Sequence, residues 1–433
     1  MRFAQLSGGS GDTFYCENCL RDAALVRALR RAGHEAVTVP LYLPLMTGEG
    51  DQGGVFFGGI NVFLQQHSAV FRHSPRWLDR LLDSPRLLRW AGRKADMTSA
   101  RGVGETLLSM LRGEEGRQAK ELGRLVDWLA REIRPQVVSL TASLLAGVTR
   151  RIKRDLGAVV ICTLQDEEGY LDSLEEPYRA EAWHMLRRLA ADIDAFIAPS
   201  RFYAERMRHR LDLPDDKLHV IPNGIDPHGY TPAERPGEPP VVGYLAQLSP
   251  AKGLDTLAEA FLLLRKDPRL AAARLRAFGG VMSGERAFVD DVRRWLAEAG
   301  AGRDAELLTD FSHEDKSAFL RSCSVVSVPT KRGEAFGLFV LEALASGTPV
   351  VLPDHGAFGE LVADTGGGLL CPPNDPAALA ETLRRVLLDR HLAERLGRAG
   401  RQAVLEKYTT DIMAAHVAAL CDKLLGTKPD EKC

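Results

Sequence analysis

Pro329-Thr330-Lys331-Arg332-Gly333-Glu334-Ala335-Phe336-Gly337-Leu338-Phe339-Val340-Leu341-Glu342-Ala343-Leu344-Ala345-Ser346-Gly347-Thr348-Pro349-Val350 is the most informative stretch of the chain. The apolar run 325–329 reads as a buried strand. A short loop through Gly333 follows, and the spacing predicts a helix over 336–345 that starts near Ala335. The backbone N–H groups of Ala335, Phe336, Gly337 and Leu338 are then expected at a helix N-terminus, a ready site for phosphate. Glu334 stands just before that terminus and Glu342 two turns in, about 12 Å away along the axis at 1.5 Å per residue. Val340, Leu341, Ala343, Leu344 and Ala345 make the helix apolar nearly all round, so Glu342 is expected inside, where a carboxylate needs a partner or a ligand. The alternative, one glutamate on the helix dipole and the other on a solvated face, fits Glu334 better than Glu342.

The same strand-and-helix rhythm extends in both directions. Downstream of a Pro- and Gly-rich segment, 222–240, strands are expected at 241–245, 274–278, 325–329 and 349–352, with helices at 254–264, 287–299 and 336–345. At the other end, strand 2–6 runs into the turn Ser7-Gly8-Gly9-Ser10-Gly11-Asp12, helix 19–32 and strand 35–41. Residues 44–125 break the alternation with Gly-rich stretches and two Pro-led helices, 75–82 and 85–94. It resumes with helix 122–132, strand 137–140, helix 144–156 and strands 159–164, 195–198 and 218–222. Strands alternating with amphipathic helices imply parallel sheets covered on both faces, with ligands bound beyond the carboxyl ends of the strands. Two such α/β units are expected, 1–225 and 226–407, followed by a helical tail, 408–433.

Composition is that of an ordinary globular protein of two or three domains: 433 residues, 45% hydrophobic and 26% charged. A net charge of −2 gives no bulk attraction for nucleic acid. No run approaches the roughly 18 apolar residues of a membrane span, and the opening apolar stretch is short for a signal peptide; a cytoplasmic location is expected. Seven scattered cysteines, an odd number, read as reduced thiols. Cys16 and Cys19 form a lone C-x-x-C, read as two free thiols at a helix start ahead of a redox or metal role. Asp192 and Asp194 form an Asp-x-Asp on a connection; two carboxylates supply too few oxygens for a metal. No metal site and no cofactor are expected.

The 329–350 stretch resembles the paired-glutamate motif of retaining glycosyltransferase family 4, whose members have the GT-B fold. Further motifs carry the likeness. Ile197-Ala198-Pro199-Ser200 with Val220-Ile221-Pro222-Asn223-Gly224-Ile225-Asp226 is similar to the family's inter-domain hinge. Gly243-Tyr244-Leu245-Ala246-Gln247-Leu248-Ser249-Pro250-Ala251-Lys252-Gly253-Leu254-Asp255 is similar to its donor-phosphate loop, and Gly8-Gly9 to its N-terminal glycine loop. Residues 354–362 and 367–373 match the end of its nucleotide domain. The likeness is nearly continuous from about residue 195 onward and patchier before.

The resemblance implies two Rossmann-like domains facing across a cleft, with helix 408–425 crossing back to the first. It implies transfer of a hexose from a nucleotide-diphosphate sugar, such as a UDP-sugar, to a glycan, lipid or small-molecule acceptor, with retention and without a metal. In that frame Glu334 binds the donor hexose, Glu342 the ribose, and Lys252 neutralises the leaving diphosphate. Gly8 and Gly9 face donor and acceptor, and the 335–338 amides hold phosphate. Two positions depart from the pattern. Gln247 stands where the family usually has Arg, so Gln247→Arg is expected to speed the reaction. Gln165 stands where many members have His; it cannot act as acid or base but can hydrogen-bond a sugar hydroxyl or the anomeric region. Asp166, Glu167 and Glu168 beside it read either as an acceptor-positioning cluster or as a solvated loop.

Segment 72–94 carries seven Arg or Lys and two Asp, with Trp77, Leu78, Leu81, Leu82, Leu87, Leu88 and Trp90 for an apolar face. It reads either as a peripheral contact with the inner face of a membrane or an anionic acceptor, or as a packed helical hairpin with solvated arginines. Two other functions stay open at this point: a nucleotide-sugar-binding homologue without catalysis, and a sugar-nucleotide epimerase on the same fold.

Overall fold

The computed structural model describes residues 1–8, 17–41, 100–233, 238–309 and 313–426. Gly9, Cys16, the helices at 75–82 and 85–94 and the basic segment 72–94 lie outside the described residues. The chain divides into two compact units, Met1–Pro222 with Thr410–Cys433, and Asn223–Thr409.

The first unit contains β1 (Arg2–Ser7), α1 (Glu17–Arg31), β2 (Glu35–Pro40), α2 (Ala100–Leu111), α3 (Ala119–Trp128), β3 (Val137–Leu140), α4 (Thr149–Leu156), β4 (Val159–Thr163), α5 (Glu167–Asp172), α6 (Tyr178–Ala190), β5 (Ala195–Ala198), α7 (Arg201–Leu211) and β6 (Leu218–Val220). Its described strands form one parallel sheet in the order β2-β1-β3-β4-β5-β6. Every residue of β3, β4 and β5 is buried, as expected of a sheet covered on both faces. Chain direction across the sheet reverses between β1 and β3.

The second unit contains β7 (Val241–Leu245), α8 (Leu254–Leu264), β8 (Arg274–Phe278), α9 (Arg286–Glu298), β9 (Ala305–Leu308), α10 (His313–Ser322), β10 (Val325–Val326), α11 (Leu338–Ala345), β11 (Val350–Pro353), α12 (Phe358–Thr365), β12 (Gly368–Cys371), α13 (Pro376–Leu388) and α14 (Arg390–Lys407). Its parallel sheet runs β12-β11-β10-β7-β8-β9. Counted within the unit this is 3-2-1-4-5-6, the dinucleotide-fold order, with its switch point between β7 and β10. Local chemistry starts the helices: Asp375 Oδ1 accepts from the amides of Ala377 and Ala378 with Pro376 in the first turn, and Asp389 Oδ1 accepts from Leu392.

The last helix, α15 (Thr410–Gly426), belongs to the first unit. Met413, Ala414, Val417, Leu420 and Cys421 join a core with Phe3, Leu25, Val26, Leu29 and Val159. Arg31 Nη2 pairs with Asp411 at 2.7 Å beside it.

The structure departs from the sequence reading at several elements, four of which follow. The strand expected at 325–329 pairs only over Val325–Val326, although Ser327 still donates to the Gly243 carbonyl. The helix expected at 144–156 opens as a 3-10 segment, Ser143–Val148. Edge strand β9, Ala-Glu-Leu-Leu, is half-exposed and carries no long apolar run. The helix expected from Ala335 begins at Leu338, after Gly337 at φ 98°.

Candidate active site

In the second unit the loops leaving β7 and β10 meet at the switch point. Gly253 caps α8 at φ 73°. A Cβ there would lie 1.9 Å from the Pro329 carbonyl oxygen, so only glycine lets the loops touch. Lys331 stitches them further, its amide donating to the Ala251 carbonyl and its Nζ pairing with Asp255 Oδ2 at 2.5 Å. The result brings Lys252 and Glu334 together: Lys252 Nζ donates to Glu334 Oε1 at 2.6 Å. The backbone of Glu334 is pinned from the far side, its carbonyl accepting from Ala357. His355, beside that contact, shares a 3.2 Å hydrogen bond with Thr330 Oγ1, and burial pushes its imidazole below the ordinary value.

The helix start read at Ala335 needs correction. Ala335, Phe336 and Gly337 form a buried loop ahead of the helix, and Leu338 alone of the four is a first-turn residue. The left-handed turn at Gly337 delays the helix by a little under one turn. Glu342 lies on α11 apart from the Lys252–Glu334 pair. It is buried, as its neighbours require, and its Oε1 accepts from Lys316 Nζ at 2.5 Å and from the Tyr230 hydroxyl at 3.0 Å. Lys316 is itself buried. Neither partner was singled out in the sequence, because a lone lysine on a mixed helix reads as solvated.

Gln247, held by a 2.7 Å bond from the Tyr244 hydroxyl to its carbonyl, donates through Nε2 to Glu285 Oε2 at 2.5 Å. The side chain standing at the family's arginine position is thus engaged by a carboxylate. A groove of about 1300 Å³ lies elsewhere, near Arg274, Arg276 and Arg303. It opens beside the amino ends of β7 and β8, the wrong end of the sheet for a ligand.

In the first unit Gly8 directly follows β1 at the switch point of the sheet, and Gln165 lies just beyond β4. Gln165 is 7% exposed, and its Nε2 donates to the Thr141 carbonyl at 2.7 Å and to Thr141 Oγ1 at 3.2 Å. Of the three adjacent acidic residues only Asp166 is exposed, so the solvated-loop reading fails for the other two. Glu167 and Glu168 are buried at the start of α5. Glu167 accepts from the amides of Ser143 and Gln165 and from the Tyr203 hydroxyl, while Glu168 pairs with Arg206 at 2.6 Å. Glu167 therefore braces the loop that carries Gln165. Asp192 pairs with Arg150 at 2.7 Å and Asp194 with Lys153 at 2.6 Å. Asp194 Oδ2 also accepts from the Val160 amide, so both carboxylates serve the connection into β5. Cys19 is buried, and its Sγ accepts from the Ser7 hydroxyl at 3.9 Å.

Two family profiles match the chain in succession. Glycosyltransferase Family 4 covers residues 109–228, and Glycosyl transferases group 1 covers 232–403. Between them the two matches span most of residues 109–403; the chain is similar to the group 1 glycosyl transferases and has the GT-B fold. Among curated relatives it is 33% identical over 258 residues to D-inositol 3-phosphate glycosyltransferase of Stackebrandtia nassauensis, covering 56% of this chain and 55% of the relative. It is 28% identical over 245 residues to MMP alpha-(1->4)-mannosyltransferase of Mycolicibacterium hassiacum, covering 56% and 57%. The chain spans about half the length of the curated relatives it matches. Among solved structures, sucrose-phosphate synthase from Thermosynechococcus elongatus superposes with a TM-score of 0.71 at 19% identity, over 98% of this chain and 99% of that one. HepE of Anabaena, solved in complex with UDP, gives 0.67 at 17% identity, over 98% and 100%. No described helix is long and apolar enough to cross a membrane.

Proposed function

We propose that this chain transfers a hexose from a nucleotide-diphosphate sugar to a hydroxyl-bearing acceptor, with retention at the anomeric carbon and without a metal. The observation that carries the reading is the 2.6 Å approach of Lys252 to Glu334 at the switch point of a dinucleotide-ordered sheet. Breaking the glycosidic bond puts negative charge on the departing diphosphate, and a fixed ammonium stabilises that charge most in the transition state. On donor binding Lys252 turns from Glu334 to the phosphate, and Glu334 accepts hydrogen bonds from the hexose hydroxyls. Glu342, on the following helix, serves the ribose, whose contacts do not change during reaction. Gly8 and Gln165 serve the sugar side, and the amide of Leu338 with the loop before it serves the phosphates.

The test is release of nucleoside diphosphate from a panel of UDP- and GDP-hexoses, with and without candidate acceptors. Inositol phosphates belong in the acceptor panel, given the names of the curated relatives. The expected result is release accelerated by acceptor, unaffected by EDTA, and a product with the donor's anomeric configuration by NMR. Glu334→Gln should remove most turnover, whereas Glu342→Gln should mainly raise the donor KM. Hexose interconversion without release would identify an epimerase, and an inverted product would refute retention. A second reading, a donor-binding homologue without catalysis, is favoured by one observation: Glu285 engages Gln247 and sets a carboxylate beside the phosphate loop. Tight donor binding without release under any acceptor would establish it.

A further inference from the structure

A polar cluster that the proposed reaction leaves without a role lies below the carboxyl ends of β1, β3 and β4. Gln5, Arg21 and Asp22 are at most 1% exposed there. Such groups are seldom buried so completely unless a network uses them. Asp22 Oδ1 accepts from Arg21 Nη1 at 2.9 Å, and its Oδ2 accepts from Gln5 Nε2 at 3.2 Å and from Thr141 Oγ1 at 2.5 Å. Burial pushes the Asp22 carboxyl up from its ordinary value, and the adjacent Arg21 guanidinium opposes that shift.

The directions of these bonds matter more than their number. A threonine hydroxyl has one proton to give. Thr141 gives it to Asp22, so toward Gln165 its Oγ1 acts as an acceptor, and Gln165 Nε2 donates to it. The other Nε2 hydrogen goes to the Thr141 carbonyl. The amide nitrogen is thereby turned to the Thr141 side, where Gln165 also hydrogen-bonds the Asp22 carboxyl. The O/N orientation of a carboxamide is set by its hydrogen-bond network, and here that network fixes Gln165 Oε1 on the side away from Thr141. Gln165 Oε1 is buried and has no hydrogen-bond partner among the described residues. An acceptor left in that condition is costly unless a donor arrives.

We infer that Asp22, acting through Thr141, is a positioning residue that fixes Gln165 as an acceptor, so that position 165 recognises a hydroxyl group of the sugar donor or of the acceptor substrate and rejects phosphate or carboxylate oxygens. This rests on the reading that Gln165 faces the reacting groups; the polarity of the Asp22–Thr141–Gln165 chain does not. Thr141→Val removes the relay hydroxyl with little change of shape, and Thr141→Ser restores it.

The experiment measures kcat and both KM values of the full chain for wild type, Thr141→Val, Thr141→Ser and Asp22→Asn, together with unfolding midpoints. Loss of one substrate hydrogen bond predicts a fall in kcat or in acceptor kcat/KM of about ten- to hundredfold for Thr141→Val and Asp22→Asn, with recovery to within about threefold in Thr141→Ser. Deoxyhexose donors separate the two sources of the hydroxyl. If the Thr141→Val penalty vanishes with one deoxy donor, the partner is that hexose hydroxyl. If it persists with all of them and the acceptor KM rises, the partner is on the acceptor. Unchanged turnover in Thr141→Val, or variants that lose stability while kcat per folded molecule stays constant, would overturn the inference. Should wild type show no transfer at all, the functional reading fails separately. The relay is then judged by a double-mutant cycle of Thr141→Val and Gln165→Leu on the unfolding midpoint, where additivity refutes it.

Discussion

Lys316 and Glu342 depend on each other, because both are buried and their opposite charges meet at 2.5 Å. Removing one partner of such a pair typically costs about 3–5 kcal/mol, whereas replacing both with apolar groups is often nearly neutral. Glu342→Ala is therefore expected to lower unfolding stability by about 3 kcal/mol or more, and Glu342→Ala with Lys316→Met to recover most of it. Chemical denaturation of the four proteins checks this; equal losses in the single and double variants would show that the pair is not coupled. The same logic changes the expectation for Gln247. An arginine there would meet Glu285, which already holds the Gln247 amide, before it met a phosphate. Gln247→Arg alone is expected to leave donor kcat/KM within about threefold of wild type, while Gln247→Arg with Glu285→Gln should raise it by about five- to thirtyfold, the worth of a charge-assisted over a neutral hydrogen bond at the leaving group. If the single variant already shows the full gain, Glu285 does not restrain position 247.

The element that matters most is the pair of loops leaving β7 and β10. Their contact runs through the backbone of Gly253 and Pro329 rather than through side chains, so it tolerates no added atom. Gly253→Ala would place a methyl group inside the Pro329 carbonyl and force a left-handed alanine, a backbone strain of about 1–3 kcal/mol before the clash is counted. Because Lys252 immediately precedes this residue, the expected outcome is a donor affinity lowered at least about tenfold, from the loss of one charge-assisted contact. Titration of nucleoside diphosphate by calorimetry reads it directly, and wild-type affinity in a folded Gly253→Ala protein would show that the loop contact does not place Lys252.

At the scale of the molecule, the last helix completes the core of the first unit rather than that of the unit it follows in sequence. Met413, Val417 and Leu420 are buried against α1 and the sheet, each worth about 1.5–3 kcal/mol when removed from water. Deleting 410–433 should therefore destabilise the first unit by several kcal/mol and leave the second, with its own core, comparatively intact. Scanning calorimetry should show one transition moving to lower temperature and the other nearly unmoved. A uniform shift of both, or none, would contradict the division of the core.

The alternation of strands and helices, the break at 222–240, the burial of Glu342 and the glycine-rich connections were legible in the sequence because they are local. Periods of 2 and 3.6 residues, turn chemistry and apolar neighbours act within a few positions of the residue they describe. The start of α11 was misplaced by about three residues because a left-handed glycine, invisible to periodicity, delays it. The partners of the site lay beyond that horizon. Lys316 is 26 residues from Glu342, Glu285 is 38 from Gln247, and Thr141 is 119 from Asp22. Each pair meets only because the strand order packs distant helices and loops against one another. Local sequence determined which elements form and where the proposed phosphate-and-sugar site would lie; which side chains meet around that place was decided by the tertiary packing of helices and loops that sequence distance keeps apart.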